Sequence, residues 1–297
     1  MEKIGFIGLG IMGKPMALHL INAGYPVCVL QKNKAAEELV AAGAKALATG
    51  KAIAQECDII ITMLPDSPEV LEIVTGHEGI IAGVRAGSLF IDMSTIAPST
   101  AKEIYQLLQA KNVEALDAPV SGGQVGATAA SLSIMVGGNA PAFERALPLF
   151  NAMGKNIVHI GEAGAGQMTK ACNQMIVGMT IQAVGEAFAL AKKAGVDLGK
   201  MREVLLGGFA QSRILDLHGK RIIEENFAPG FKIKLHRKDM NIALQAGKEF
   251  SVPLYGTAQV AAQMDALIAQ GKGEWDHSAI AWLIQQLSGI EYNISKS

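Results

Sequence analysis

Four apolar residues, Ile4 to Ile7, run directly into Gly8-Leu9-Gly10-Ile11-Met12-Gly13, and from Pro15 to Ala23 the apolar residues take helical spacing. A strand that feeds a glycine turn and then a helix is the GxGxxG arrangement in its working context. The glycines allow a tight turn, and the helix start turns backbone N–H groups and the positive end of its dipole towards a pyrophosphate. The hexapeptide alone also occurs as a plain packing turn. Its place beside the N-terminus, with a second strand at Val27 to Leu30, selects the dinucleotide reading, with Gly8, Leu9, Gly10, Ile11, Met12 and Gly13 as the cofactor loop.

The second strand ends at Gln31-Lys32-Asn33-Lys34, where an NAD enzyme carries an acid for the ribose 2′-hydroxyl. A neutral amide followed by cations suits a 2′-phosphate, so Gln31, Lys32 and Asn33 point to NADP, with NAD as the other cofactor such a site accepts. Strand-like runs follow at Asp58 to Met63, Leu89 to Met93 and Val113 to Leu116, with a helical segment at Pro98 to Ala110. This alternation predicts an α/β, doubly wound, Rossmann-like domain. Met63-Leu64-Pro65 and Ser94-Thr95 lie just past strand carboxyl ends, where ligands bind in open parallel sheets, although ordinary turn chemistry produces the same residues. Asp117-Ala118-Pro119-Val120-Ser121-Gly122-Gly123 also closes a strand and opens a helix near Gln124. Ser121 with the N–H groups of Gly122 and Gly123 fits a substrate carboxylate, and a simple helix N-cap fits equally well. Runs at Leu132 to Val136 and Ile157 to Ile160 complete a first domain over residues 1–163.

Glycines at 161, 164 and 166 precede an apolar run that reaches about Ala191 and is interrupted by Lys170. On a helix starting near Gly166, Asn173 and Gln174 share the face of Lys170. A lone lysine in such a place is ordinarily one that snorkels to solvent. Its position near a helix start, against the dipole, and its apolar surroundings both favour the neutral amine, so Lys170 is the candidate general acid/base. Gly195 is the expected cap of this helix. Beyond it, Leu198 to Leu206, Gln211 to Glu225, Leu235 to Lys248, Gly256 to Gln270 and Asp276 to Leu287 read as helices with no strand between them. The expectation is an all-helical second domain over 164–297, joined to the first by the long helix, with Lys170 at the cleft between them.

The 297 residues are 50% hydrophobic and 18% charged with a net charge of -1, which excludes disorder and gives no general attraction to nucleic acid or an anionic membrane. Three scattered cysteines read as reduced thiols, and no signal peptide precedes the first strand, so a cytoplasmic protein is expected. The stretch from Ala171 to Gly185 reads as too short to span a bilayer. No HExxH or CxxC occurs, and no catalytic metal is expected. His277 beside Asp276 reads as helix-start chemistry, His236 as a residue with no catalytic role, and Trp275 and Trp282 as packing.

The glycine loop, Asp117 to Gly123 and Gly161 to Gln174 together resemble the β-hydroxyacid dehydrogenase family, which includes 3-hydroxyisobutyrate dehydrogenase, tartronate semialdehyde (2-hydroxy-3-oxopropionate) reductase and the glyoxylate/succinic semialdehyde reductases. The resemblance runs from Ile4 to about Ser288. It implies that Lys170 is the catalytic acid/base, that Ser121, Gly122 and Gly123 bind the substrate carboxylate, and that Thr95 lies between cofactor and substrate. It further implies active-site positions for Phe231 and Asp239, a cofactor contact for Lys238, and polar roles beside the lysine for Asn173 and Gln174. Asn-Gln at that place, with Asp276-His277-Ser278-Ala279, is most similar to the tartronate semialdehyde reductase branch. Two departures stand out: Gln31 occupies a position where close relatives often carry Asp, and Ala130-Ser131 replaces the usual Gly-Thr after the carboxylate loop.

The function expected is NADP(H)-dependent reduction of a small carboxylate-bearing aldehyde, tartronate semialdehyde to glycerate, by a homodimer or homotetramer. Oxidation of 3-hydroxyisobutyrate or 4-hydroxybutyrate is the nearest enzymatic alternative. A catalytically silent dinucleotide sensor is the alternative outside enzymology, and Lys170 speaks against it because a sensor needs no proton donor.

Overall fold

The computed structural model describes residues 1–31 and 34–290. Its compact units divide after Lys170. The strands are β1 (Ile4–Ile7), β2 (Val27–Leu30), β3 (Lys45–Leu47), β4 (Ile59–Thr62), β5 (Leu89–Asp92), β6 (Glu114–Asp117), β7 (Val120–Ser121), β8 (Leu132–Gly137) and β9 (Gly154–Gly161). The helices interleaved with them are α1 (Gly13–Asn22), α2 (Lys34–Ala41), α3 (Gly50–Glu56), α4 (Ser67–Thr75), α5 (Pro98–Gln109), α6 (Gly123–Thr128) and α7 (Ala140–Met153). Six parallel strands stand in the order β3-β2-β1-β4-β5-β6, the dinucleotide-binding order, in which the chain reverses direction across the sheet between β1 and β4.

Burial on both faces explains why these strands read as unbroken apolar runs. Alternation along each strand splits them into two cores. Ile4, Phe6, Ile59, Ile61 and Ile91 pack with Met16 and Leu20 of α1 and Phe150 of α7. Ile7, Ile60 and Phe90 face the other way, onto Ile53, Val70 and Ile104 of α3, α4 and α5. The far edge departs from the expected parallel alternation: β8 runs antiparallel to β6 and β7, and β9 pairs with β8 in parallel. β7 is two residues long and β3 three, too short to show a period in the sequence.

In the second unit, α9 (Leu198–Leu206), α10 (Arg213–Ile223), α11 (Ile233–Glu249), α12 (Tyr255–Ala269) and α13 (Ile280–Leu287) follow the long α8 (Ala165–Lys193). The last expected helix is split: a 3-10 turn at His277–Ala279 precedes α13. Phe188, Leu215, Ile222, Met240, Met264 and Leu283 form the core of this unit. Gly195, at φ 75°, ends α8 as expected, with Val196 N–H bonded to Ala191 C=O and Gly195 N–H to Lys192 C=O. At 29 residues, with a mean hydropathy of 1.3 over its most apolar window, α8 is longer than the run read from the sequence and passes a membrane-span test by length and composition. Its Ile181, Val184 and Phe188 are instead spent on the helical core.

Asp117 sets where α8 begins. Its carboxylate accepts the backbone N–H of Gly164 at 2.7 Å and of Gln167 at 2.8 Å, two donors that the helix itself leaves without partners. Gly137 and Gly166 make room for it: a Cβ on Gly137 would lie 2.5 Å from Asp117 Oδ1, and one on Gly166 would lie 2.6 Å from Asp117 C=O. Burial pushes the Asp117 carboxyl up to about 6, against the two amide hydrogen bonds that hold it down.

Two outcomes follow from these local features. Because the folded pKa lies above the unfolded one, the Asp117 carboxyl adds stability that is complete below about pH 4 and lost as pH rises through about 6. In denaturant melts the stability of wild type relative to Asp117→Asn should therefore fall between those two pH values; a difference that does not change with pH would contradict the burial argument. Ala130 sits at φ 50°, a left-handed conformation that favours glycine. Ala130→Gly should raise the unfolding free energy by up to about 1 kcal/mol, and a lower melting temperature would show that the strain is compensated elsewhere.

Candidate active site

In the first unit the residues expected to hold the cofactor gather at the carboxyl ends of β1, β2, β4 and β5, around the point where the strand order reverses. Steric space tests the glycine loop directly. A Cβ on Gly8 would lie 2.1 Å from Met63 C=O and one on Gly13 1.8 Å from Gly8 C=O, whereas one on Gly10 meets nothing within 4 Å. The outer glycines are therefore required by packing, and the middle one keeps a face open for a ligand. No side chain caps α1, so its dipole is left for an anion. These features fit a dinucleotide pyrophosphate. Gln31 is exposed at the end of β2, with its N–H on Leu47 C=O, the place from which a ribose is read; Lys32 and Asn33 lie outside the described residues.

Beside the loop, Met63 N–H is held by Ile7 C=O at 2.8 Å and Leu64 N–H by Ser94 Oγ at 2.8 Å, and Pro65 follows, exposed. Asp92 accepts from Thr62 Oγ1 and from Ser94 N–H, which ties the ends of β4 and β5 together. Gln167, 1% exposed, completes the frame: its Nε2 donates to Ser94 C=O and its Oε1 accepts from Ile96 N–H, so both residues flanking Thr95 are clamped from the first turns of α8. The sequence reading passed over Asp117 and Gln167. Their neighbourhood to Lys170 in the motif was visible, but which backbone groups they reach was not.

Lys170 is 7% exposed, and with Thr169 Oγ1 donating to Ala165 C=O the opening of α8 is continuous up to it. Burial of this extent speaks against a lysine that snorkels to solvent. Ser121 ends β7 opposite Ser133. The N-cap position of α6 falls to Gly122, with φ 139°, and Gly123 has φ 60°, so the plain N-cap reading of Ser121 does not hold.

In the second unit the expected residues form a bonded set. Asn173 Nδ2 donates to Gln174 Oε1 at 2.8 Å, Gln174 Nε2 donates to Asp239 Oδ2 at 2.6 Å, and Lys238 Nζ stands 3.1 Å from Asp239 Oδ1. Phe231 lies 5.3 Å from the ring of His277 and 5.6 Å from that of His236. Trp275 meets Trp282 edge to face at 5.5 Å and stacks on Phe227 at 5.9 Å, and Lys272 Nζ lies over both indoles, a packing role as expected. All three cysteines are free thiols, Cys28 and Cys57 buried and Cys172 exposed.

Comparison with known proteins agrees with this geometry. Residues 3–161 match the NAD binding domain of 6-phosphogluconate dehydrogenase, and 164–284 match the NAD-binding domain of NADP-dependent 3-hydroxyisobutyrate dehydrogenase. The 2-hydroxy-3-oxopropionate reductase of Escherichia coli (strain K12) is 44% identical over 96% of this chain and 98% of its own length. The 3-hydroxyisobutyrate dehydrogenase of Pseudomonas aeruginosa is 38% identical over 87% of this chain and 90% of its own. A structure of Mycobacterium tuberculosis 3-hydroxyisobutyrate dehydrogenase with L-serine superposes with a TM-score of 0.89 at 33% identity, covering 96% of this chain and 99% of that one. With a dinucleotide loop whose open glycine fits the cofactor, a buried lysine at the start of α8 and relatives matched along nearly their whole length, the chain belongs to the β-hydroxyacid dehydrogenase family of NAD(P)-dependent oxidoreductases acting on CH–OH groups.

Proposed function

We propose that the protein reduces tartronate semialdehyde to glycerate with a preference for NADPH. The observation that carries the substrate is the 44% identity to a 2-hydroxy-3-oxopropionate reductase, against 38% to a 3-hydroxyisobutyrate dehydrogenase, joined to the Asn173-Gln174 pair after the lysine. The cofactor preference rests on Gln31: a neutral, exposed amide puts no negative charge where a 2′-phosphate would sit.

The nicotinamide supplies the hydride that reaches the aldehyde carbon. Around it, Ser121 and the amides of Gly122 and Gly123 hold the substrate carboxylate, and Thr95, whose neighbours Ser94 and Ile96 are clamped by Gln167, borders cofactor and substrate. Lys170 donates a proton from Nζ to the carbonyl oxygen, which becomes the hydroxyl of the product; in the reverse direction the neutral amine takes that proton back. Phe231, Asn173 and Gln174 are assigned to the substrate and Lys238 to the cofactor, and Asp239 accepts from Gln174. The C-terminal match to a 3-hydroxyisobutyrate dehydrogenase domain favours that oxidation as the second reading. Assembly into a homodimer or homotetramer belongs to the same reading, and Phe209, Val204 and Leu190 are apolar side chains left exposed for it.

Turnover with tartronate, methylmalonate and succinic semialdehydes and glyoxylate, each with NADPH and NADH, tests the assignment. Preference for the first is expected, and preference for another aldehyde would move the protein to a different branch while keeping the chemistry. Lys170→Ala should lower kcat by about 10² to 10⁴ with NADPH affinity nearly unchanged, and turnover that survives the change would remove the lysine from the proton step. Gln31→Asp should shift the preference towards NADH by at least about tenfold, because a carboxylate repels the 2′-phosphate and accepts from the 2′-hydroxyl; an unchanged ratio would place cofactor selection elsewhere.

A further inference from the structure

Among the described residues of the helical unit lies a file of buried and half-buried ionisable groups with no role in the chemistry above. Asp276, fully buried before the 3-10 turn, has Oδ1 3.6 Å from Nδ1 of His218 on α10. His218 Nε2 is 3.3 Å from His277 Nε2, His277 Nδ1 is 2.8 Å from His236 Nδ1, and His236 Nε2 is 3.0 Å from the main-chain oxygen of Gln174.

Donor and acceptor chemistry orients the file. A carbonyl oxygen only accepts, so His236 carries its proton on Nε2. A neutral His236 then accepts at Nδ1, which requires Nδ1–H on His277; a neutral His277 accepts at Nε2, which requires Nε2–H on His218. Burial drives the His277 imidazole well below its ordinary value, so it stays neutral. The file is thus polarised from His218 towards Gln174, with Asp276 Oδ1 3.6 Å from His218 Nδ1 at its outer end.

The same residues grip Phe231. Asp276 Oδ2 accepts the N–H groups of Gly230 at 2.9 Å and Phe231 at 3.0 Å, Phe231 C=O accepts from His277 N–H, and both His277 and His236 lie against the Phe231 ring. A divalent cation at His218, Asp276 and His277, which lie close enough to share one, would compete with donors already in place. Asp276 Oδ1 also takes the N–H and hydroxyl of Ser278, and Arg221 stands 3.6 Å from Oδ2. The carboxylate is fully engaged and its charge is met.

We infer that Asp276, His218, His277 and His236 are positioning residues for reduction of the aldehyde acid: through one set of tautomers they fix Phe231 and the α8 main chain at Gln174. This rests on the substrate contacts proposed above for Phe231 and Gln174. The file would act on substrate binding more than on proton transfer, because it holds residues that line the substrate and not the acid.

The test has two parts. Long-range ¹H–¹⁵N spectra of the NADP⁺-bound protein should show His236 as the neutral Nε2–H tautomer and His277 as the neutral Nδ1–H tautomer; the opposite tautomer at either ring overturns the file, whatever the activity. Adding one equivalent of Zn²⁺ should leave these resonances in place, and their loss would overturn it in favour of a metal site. In kinetics, His236→Leu should raise KM for the aldehyde acid about tenfold with kcat within about threefold and NADPH affinity unchanged, and His236→Gln, which keeps an N–H donor, should recover most of it. His218→Gln, at the outer end of the file, supplies the same comparison if the Leu variant does not fold. Equal KM in folded variants overturns the positioning role. A wild type that reduces none of the aldehyde acids overturns the substrate reading, and the tautomers still judge the file by themselves.

Discussion

The first unit depends on one carboxylate at the start of one helix. Asp117 closes β6 and accepts two amides of the opening of α8, so the end of the sheet and the beginning of the helix are a single bonded object. The arrangement works because a helix start has amides without partners and a positive dipole end, and a carboxylate answers both. Close approach of the two elements requires glycine at 137 and 166, where any side chain would collide with Asp117 or its neighbours. The placement of Lys170 follows from this junction: once the first turn is pinned, a residue in the second turn has little freedom left.

Gln167 extends the same logic. A side chain amide has a donor at one nitrogen and an acceptor at its oxygen, so it matches a loop that offers a carbonyl at Ser94 and an N–H at Ile96. The turn that carries Thr95 is thereby referenced to the helix that carries Lys170. Farther along the chain, buried polar groups again act in connected sets and not singly, as the bonds among Asn173, Gln174 and Asp239 show. Buried polar side chains are costly unless bonded, and a fully bonded set holds one geometry against its alternatives.

Much of the fold was legible in the chain. β1, β2, β5 and α9 begin where the apolar runs and their flanking residues place them, because period-2 and period-3.6 patterns record burial that the local chain already specifies. The short β3 and β7 and the antiparallel turn of β8 were not legible, since two or three residues carry no period and strand direction is set by partners distant in sequence. Among site residues the motif spacing pointed to Lys170, Ser121 and the glycine loop. His277 was read as helix-start chemistry and His236 as a residue without a catalytic role; that their rings meet, 41 positions apart, is something no local pattern records.

From its sequence alone the chain determined that it would build an α/β dinucleotide domain followed by helices, with a glycine loop for pyrophosphate and a lysine near the start of a long helix. Those features depend on residue types at fixed local spacings, which backbone geometry converts directly into structure. Tertiary structure alone decided that Gly10 faces open space while Gly8 and Gly13 are packed solid, that Asp117 starts α8, and that four ionisable groups from three separate segments stand in file behind Gln174. Each of these is a meeting of groups far apart along the chain, and hydrogen-bond direction and steric exclusion act only once folding has brought them within a few ångströms.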